Sequence, residues 1–305
     1  MVQPMSPEES ARAVLARATR RTFTLADRGI EIAALEWGDD GPLLLLHHAN
    51  GFCKGTWGLV AGALGGRCRV VAIDARGHGD SSKPEHADAY AWDRFAEDLL
   101  AVAERLIAEH GGRPIALGVG HSFGGTSMIG AAARRADCFE RLLLVDPVVP
   151  APAILSMPPE RIAHFQRLVD GAPRRRASWP SRATARAWCA ERAFFARWRP
   201  EAIELYLLDG MRERPDGSLE LKCPGTIEGA VFSGSASIDV FALARRVHTP
   251  TLILRAQRGD FPRVLYDQLV ESISARVDVV EVDAGHLIPM ERPDLVVGAA
   301  DQVLP

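Results

Sequence analysis

The stretch Gly118-Val-Gly-His-Ser122-Phe-Gly-Gly125 sets a serine among glycines, directly after an apolar run and directly before an Ala-rich helical pattern. A strand that turns sharply into a helix forces its tip residue into a strained conformation, and small residues on either side let neighbouring backbones approach. Such a turn lifts the Ser122 hydroxyl clear of the sheet. A helix starting at Phe123 then aims its amides and positive dipole end at whatever sits on the serine oxygen. The chemistry prepared is nucleophilic attack, with the Phe123 amide as one donor to a developing oxyanion.

A serine nucleophile needs a base, and that base comes from another element, because the partners of such a site are neighbours in space. His286 fits: it sits in Asp283-Ala-Gly-His286, on a loop just after a late apolar run, with Ala-Gly giving the loop freedom to aim the ring back over the sheet edge. His121, beside the nucleophile, reads as a packing residue. An acid must orient the imidazole, and two aspartates follow strand-like runs between the serine and the histidine. Asp260 is the expected acid. Asp146, followed at once by Pro147, is the alternative and could instead accept local backbone bonds at the start of a turn. The second oxyanion donor is expected from the loop His48-Ala-Asn50-Gly51-Phe52, where glycine keeps the backbone open.

The elements that must position these residues read as an α/β chain. After an arm to about residue 20, a hairpin is expected over Arg21–Ala26 and Ile30–Trp37, turning at Asp27-Arg28-Gly29. Short apolar runs follow at Pro42–His47, Arg69–Asp74, Pro114–Val119 and Arg141–Asp146, of the kind buried on both faces of a parallel sheet. Between them lie helical patterns, clearest at Asp93–His110, where Phe95, Leu99, Val102, Leu106 and Ile107 recur at helix spacing. From Pro147 to about Arg246 the alternation stops in favour of helical periodicity, with pieces at Pro159–Leu168, Arg182–Trp198, Glu201–Leu208 and Gly225–Phe232. The rhythm resumes with a strand at Thr251–Arg255, a helix near Val264–Ile273, a strand at Val277–Val282 and a helix at Pro293–Val303. The expected organisation is an arm (1–20), a core made of 21–146 and 247–305 around a mostly parallel sheet, and an inserted helical cap (147–246).

Composition narrows the function. With Lys+Arg 36 against Asp+Glu 39, no overall field draws the chain to phosphate backbones, so nucleic acid is not an expected partner. No apolar run approaches the roughly 20 residues that span a bilayer, and no leader pattern opens the sequence. Five scattered cysteines without a CxxC pair suggest neither a disulfide framework nor a zinc site. They read as buried thiols in a reducing compartment, which makes the cytoplasm the expected location. No cofactor or metal is called for, and the expected partner is a small-molecule substrate.

Four segments in order, His48-Ala-Asn-Gly-Phe52, Asp74-Ala-Arg-Gly-His-Gly-Asp-Ser-Ser82, Gly118 to Gly125 and Asp283-Ala-Gly-His286, give the chain a close resemblance to the α/β-hydrolases with an inserted helical cap. The resemblance runs from about Arg21 to Leu304. It implies Ser122 as nucleophile, His286 as base and Asp260 as acid, with the Asp74 segment a largely structural loop. Ungapped counting from His48 to Trp57 places Asn50 at the family's second oxyanion donor, and matching the Gly51-Phe52 pair places Phe52 there instead. Dehalogenases and epoxide hydrolases of the family carry a carboxylate at the nucleophile position, so Ser122 speaks against both. The resemblance therefore implies a serine hydrolase acting on ester-type bonds. Its alternatives are carbon–carbon bond hydrolases, cofactor-free haloperoxidases, or a non-catalytic receptor of the same fold.

Residues 151–200 hold ten arginines against three acids. Their plainer role is solvated helix faces whose stems cover Trp179, Trp188, Phe194 and Phe195. The sharper expectation is that one or two point into the cleft and hold a substrate carboxylate remote from the scissile bond.

Overall fold

The computed structural model describes residues 4–150 and 159–304. The first residues of the expected arm, positions 151–158 of the expected cap and the side chain of Arg161 lie outside the described residues. Ser6 caps the first helix, α1 (Pro7–Ala16), in a reciprocal box with Glu9. Strands β1 (Thr19–Leu25) and β2 (Ile30–Trp37) pair antiparallel, and Gly29 takes the left-handed φ of 62° that the tight connection requires. Then come β3 (Leu43–His47), α2 (Gly58–Leu64), β4 (Arg69–Ile73), α3 (Trp92–Glu109), β5 (Leu117–His121), α4 (Phe123–Arg134) and β6 (Leu142–Val145).

Beyond β6 the chain leaves the sheet. It forms α5 (Pro159–Gly171), β7 (Ser178–Trp179), α6 (Arg182–Ala190), α7 (Pro200–Asp209), β8 (Met211–Glu213), β9 (Leu219–Leu221), α8 (Gly225–Ser233) and α9 (Val240–Ala244). It rejoins the sheet with β10 (Thr251–Arg258), α10 (Arg263–Ser272) and β11 (Val277–Gly285), then ends in α11 (Ile288–Glu291) and α12 (Pro293–Val303).

The eight sheet strands lie in the order β1-β2-β4-β3-β5-β6-β10-β11, antiparallel as far as the β2/β4 pair and parallel from there on. Successive residues of each central strand serve opposite faces, so both faces need apolar side chains and the runs are continuous. Leu43, Leu45, Leu142 and Leu144 pack with α3, α4, α9 and α10 on one side. Leu44, Leu46, Leu143 and Val145 pack with α2 and α12 on the other. The chain runs from β3 outward to β4, then returns to place β5 on the opposite side of β3. In open α/β sheets ligands bind beyond the carboxyl ends of the strands at such a reversal, and Ser122 follows the carboxyl end of β5 there.

Three expectations needed adjustment. The strand before Ser122 lies at Leu117–His121 and runs straight into the turn. The helix expected over Arg182–Trp198 stops at Ala190, and a short 3-10 turn follows at Ala193–Phe195. The segment between β6 and β10 also holds a small antiparallel sheet, β7-β9-β8, whose strands are two or three residues long, too short to show a period of two.

Candidate active site

Ser122 caps α4 with φ 57° and ψ −124°, a conformation that side chains resist. Its neighbours make the turn feasible. A Cβ on Gly124 would collide with the carbonyl of His47, and one on Gly120 with the carbonyl of Gly124. Pro147 would meet a Cβ on Gly125 at 2.8 Å. The serine amide donates to Val145 O (3.0 Å), which ties the turn to the end of β6.

His286 follows β11 directly, and its Nε2 lies 2.9 Å from Ser122 Oγ. Its Nδ1 lies 2.6 Å from Oδ2 of Asp146. This corrects the expectation that Asp260 orients the histidine. Strand β10 continues to Arg258, three residues past its expected end, and leaves Asp260 exposed on the loop beyond. Asp146 is delivered by β6, the neighbour of β5, and is 1% exposed. Its Oδ1 accepts from the Ala256 amide (2.9 Å) and from the Tyr266 hydroxyl (2.8 Å), so the carboxylate is held on both oxygens. The loop between Arg258 and Asp260 passes close over it: a Cβ on Gly259 would lie 2.8 Å from Asp146 Oδ2.

Burial opposes a proton on His286, but the hydrogen bond and charge of Asp146 outweigh it, with a further contribution from Asp260, and the imidazole's proton affinity is raised. His121 does more than pack. Its ring stands edge-on to Trp57, and its Nε2 donates to the carbonyl of His286 (2.9 Å), steadying the loop that carries the base. Burial pushes the His121 imidazole down to about 3.

The loop after β3 faces Ser122 from the other side. Its Gly51 amide donates to Nε2 of His78 (3.0 Å), and its Phe52 amide donates to Ala49 O (3.2 Å). Phe52, the alternative oxyanion donor, is thus already engaged. Among the described residues no hydrogen-bond acceptor takes the amide of Asn50 or that of Phe123. Phe123 directly follows Ser122, and its peptide lies at the positive end of α4.

Three more parts complete the surroundings, and of these the sequence signalled only the second, through the arginines of residues 151–200. Lys54 Nζ, 1% exposed, meets Asp74 (2.6 Å), Asp80 (2.8 Å) and Asp209 (3.2 Å). Burial works against its charge, yet the three carboxylates outweigh that and raise its proton affinity. Arg175 pairs with Glu228 and donates to the Tyr206 hydroxyl (2.9 Å), while Glu228 Oε1 lies 2.8 Å from the place a Cβ on Gly51 would take. Finally, Ala49 and Phe52 pack with Leu287, Met290, Trp198, Tyr206 and Leu207, so the loop after β3, the residue that follows His286 and α7 share one apolar cluster.

A mostly parallel sheet whose strand ends bring a serine, a histidine and an aspartate into one hydrogen-bonded row defines an α/β-hydrolase fold. The chain belongs to the alpha/beta hydrolase family, whose model matches residues 43–299. It is 29% identical over 269 residues to N-formylmaleamate deformylase of Pseudomonas putida, covering 87% of this chain and 90% of that protein. It is 34% identical over 148 residues to a bifunctional esterase/perhydrolase of Acinetobacter calcoaceticus, covering 48% of each. Among solved structures, E-2-(acetamidomethylene)succinate hydrolase superposes with a TM-score of 0.78 at 22% identity, over 94% of this chain and 98% of that one. Among the described residues, no helix is long and apolar enough to cross a membrane.

Proposed function

We propose that this protein is a serine hydrolase that cleaves an ester-type acyl bond of a small molecule through an acyl-enzyme. The observation that carries the reading is the row Asp146–His286–Ser122, with 2.6 Å and 2.9 Å between partners. Ser122 Oγ attacks the carbonyl carbon while His286 Nε2 takes its proton. The tetrahedral intermediate places its oxygen against the amides of Phe123 and Asn50, each such donor contributing about 10²–10³ in rate. His286 then gives the proton to the leaving group as the C–O bond breaks. Water, activated by the same imidazole, attacks the acyl-Ser122 ester, and the acid product leaves with free serine. Asp146 holds Nδ1 protonated and stabilises the imidazolium throughout.

The segment between β6 and β10 acts as a cap over the crevice, and its aromatic side chains set what acyl or leaving group is admitted. Similarity to a deformylase adds N-formyl amides to the candidate substrates beside esters. The test is turnover of p-nitrophenyl esters and simple N-formyl amides, together with covalent labelling by a fluorophosphonate. Wild-type protein is expected to label and Ser122→Ala to do neither. Labelling that persists in Ser122→Ala would overturn the assignment, and a wild-type protein that neither labels nor turns over would mark a non-catalytic receptor.

A further inference from the structure

The peptide between Ala49 and Asn50 is held from behind. Ala49 O accepts from Nδ1 of His48 (2.7 Å) and from the Phe52 amide (3.2 Å). No described peptide bond is cis, and in a trans peptide the N–H points opposite to the C=O. Whatever fixes the Ala49 carbonyl therefore aims the Asn50 amide.

The other side of the His48 ring fixes its tautomer. Nε2 lies 3.0 Å from the Ala75 amide, which can only donate, so Nε2 carries the lone pair and the proton sits on Nδ1. The ring is 1% exposed and packed between the rings of His47 and His78, with centroids 5.5 Å and 5.0 Å away. Burial, reinforced by these neighbours, holds its proton affinity well below the ordinary value and keeps it neutral. Hydrogen bonds accepted by a carbonyl polarise the whole peptide, making its N–H a stronger donor.

We propose that His48 is a positioning residue for the oxyanion: its Nδ1–H orients and polarises the Ala49–Asn50 peptide so that the Asn50 amide meets the substrate oxygen on Ser122. The inference rests on the serine-hydrolase reading above. It also gives a chemical reason for a histidine in front of the donor loop, since a neutral imidazole is a side chain that donates to Ala49 O and accepts from Ala75 N–H at once.

Two isosteres separate the two bonds. In His48→Asn the amide nitrogen falls near the place of Nδ1 and keeps the bond to Ala49 O. In His48→Gln the carbonyl oxygen falls near Nε2, which keeps the Ala75 bond and loses the one that aims the peptide. Each variant gives up one buried bond, so thermal stability is expected to drop in both. Activity is expected to divide them. His48→Gln should lose about 10²-fold in kcat on p-nitrophenyl acetate with little change in KM, and label with fluorophosphonate correspondingly slowly, while His48→Asn recovers to within about 10-fold of wild type. Equal activities in the two variants, or a loss confined to KM, would overturn the proposal. If wild type labels and Ser122→Ala does not, the hydrolase reading survives that result; if wild type fails to label, the reading falls and the proposal with it.

Discussion

Ser122 and Asp146 terminate adjacent strands, and among the described residues they are the two non-glycine positions with positive φ, 57° and 42°. Strain at such a place costs of order 1–3 kcal/mol and persists only where the surroundings enforce it. Here the enforcing bonds are Ser122 N–H to Val145 O and Asp146 N–H to Leu254 O, at 3.0 Å and 2.7 Å. Ser122→Gly is expected to abolish turnover and yet to stabilise the fold by about 1 kcal/mol, because glycine relieves the strain. Urea unfolding of the two proteins checks this, and a destabilised glycine variant would contradict it.

Asp146→Asn is expected to lower kcat by about 10⁴. The asparagine oxygen would stay with the Ala256 amide and the Tyr266 hydroxyl, which leaves its NH₂ against His286 Nδ1. The imidazole would then carry its proton on Nε2 and could no longer take one from Ser122. Asp260→Asn removes a charge whose effect on His286 is secondary to that of Asp146 and should cost a few-fold at most. Steady-state kinetics on folded variants ranks them, and the reverse ranking would restore Asp260 as the acid.

The sequence carried the sheet, the nucleophile and the base because each has a local cause: continuous apolar runs, glycines that permit a sharp turn, and a histidine just after a strand. It did not carry the acid. Asp146 and Asp260 both follow strands, and the choice depends on where β10 ends and on which strand neighbours β5, which are tertiary facts. Gly259 was a usable hint, since a glycine beside a candidate carboxylate signals close backbone approach, here to Asp146. Tyr266 offered none, because a tyrosine within a helical pattern reads the same whether its hydroxyl meets water or a buried carboxylate.

The histidines predict opposite pH responses. His286 has its proton affinity raised above the ordinary 6.5 and works only when deprotonated, so kcat/KM should rise with pH through a midpoint above that value. Its pairing with Asp146 stabilises the fold fully below 6.5 and less as pH passes the raised midpoint. His47 and His78 run the other way: burial pushes both down to about 4, so they favour the folded state neutral. Their contribution is complete above 6.5 and drains as pH falls toward 4, at about 1.4 kcal/mol per pH unit for each. Thermal melts from pH 7.5 to 4.5 should show that loss, and a flat Tm across the range would refute it.

Lys54 joins three segments distant in sequence: its own amide and Nζ reach Asp74, and Nζ also reaches Asp80 and Asp209 at the end of α7. Lys54→Met would leave the buried carboxylate of Asp74 without its cation, a loss of about 3–5 kcal/mol. Because Asp209 also accepts from the Gly55 amide (3.0 Å), the loop after β3 should loosen along with α7. Hydrogen exchange is expected to rise in residues 50–57 and in α7 together. Exchange confined to one of them would show that the lysine does not couple the two.

Among the described arginines of residues 151–200, Arg175 is turned toward the Asn50–Gly51 loop, while Arg176 and Arg192 lie over Trp179 and Trp188 and Arg182 and Arg186 reach acids. A cation in that place would favour a substrate carboxylate, but Glu228 already neutralises it, and the Tyr206 hydroxyl takes a further N–H. With its charge compensated, Arg175 should give wild type no preference for a substrate ending in a free acid over the matching methyl ester. Glu228→Gln uncovers the guanidinium while preserving shape, and hydrogen bonds between charged partners are worth about 1.5–3 kcal/mol. The ratio of kcat/KM for acid over ester should therefore rise about 10-fold or more in the variant and fall again with added salt. Arg175→Met in the same background should cancel the gain. An unchanged ratio in Glu228→Gln would mean that Arg175 does not face the substrate and serves only to tie the segment after α5 to α8.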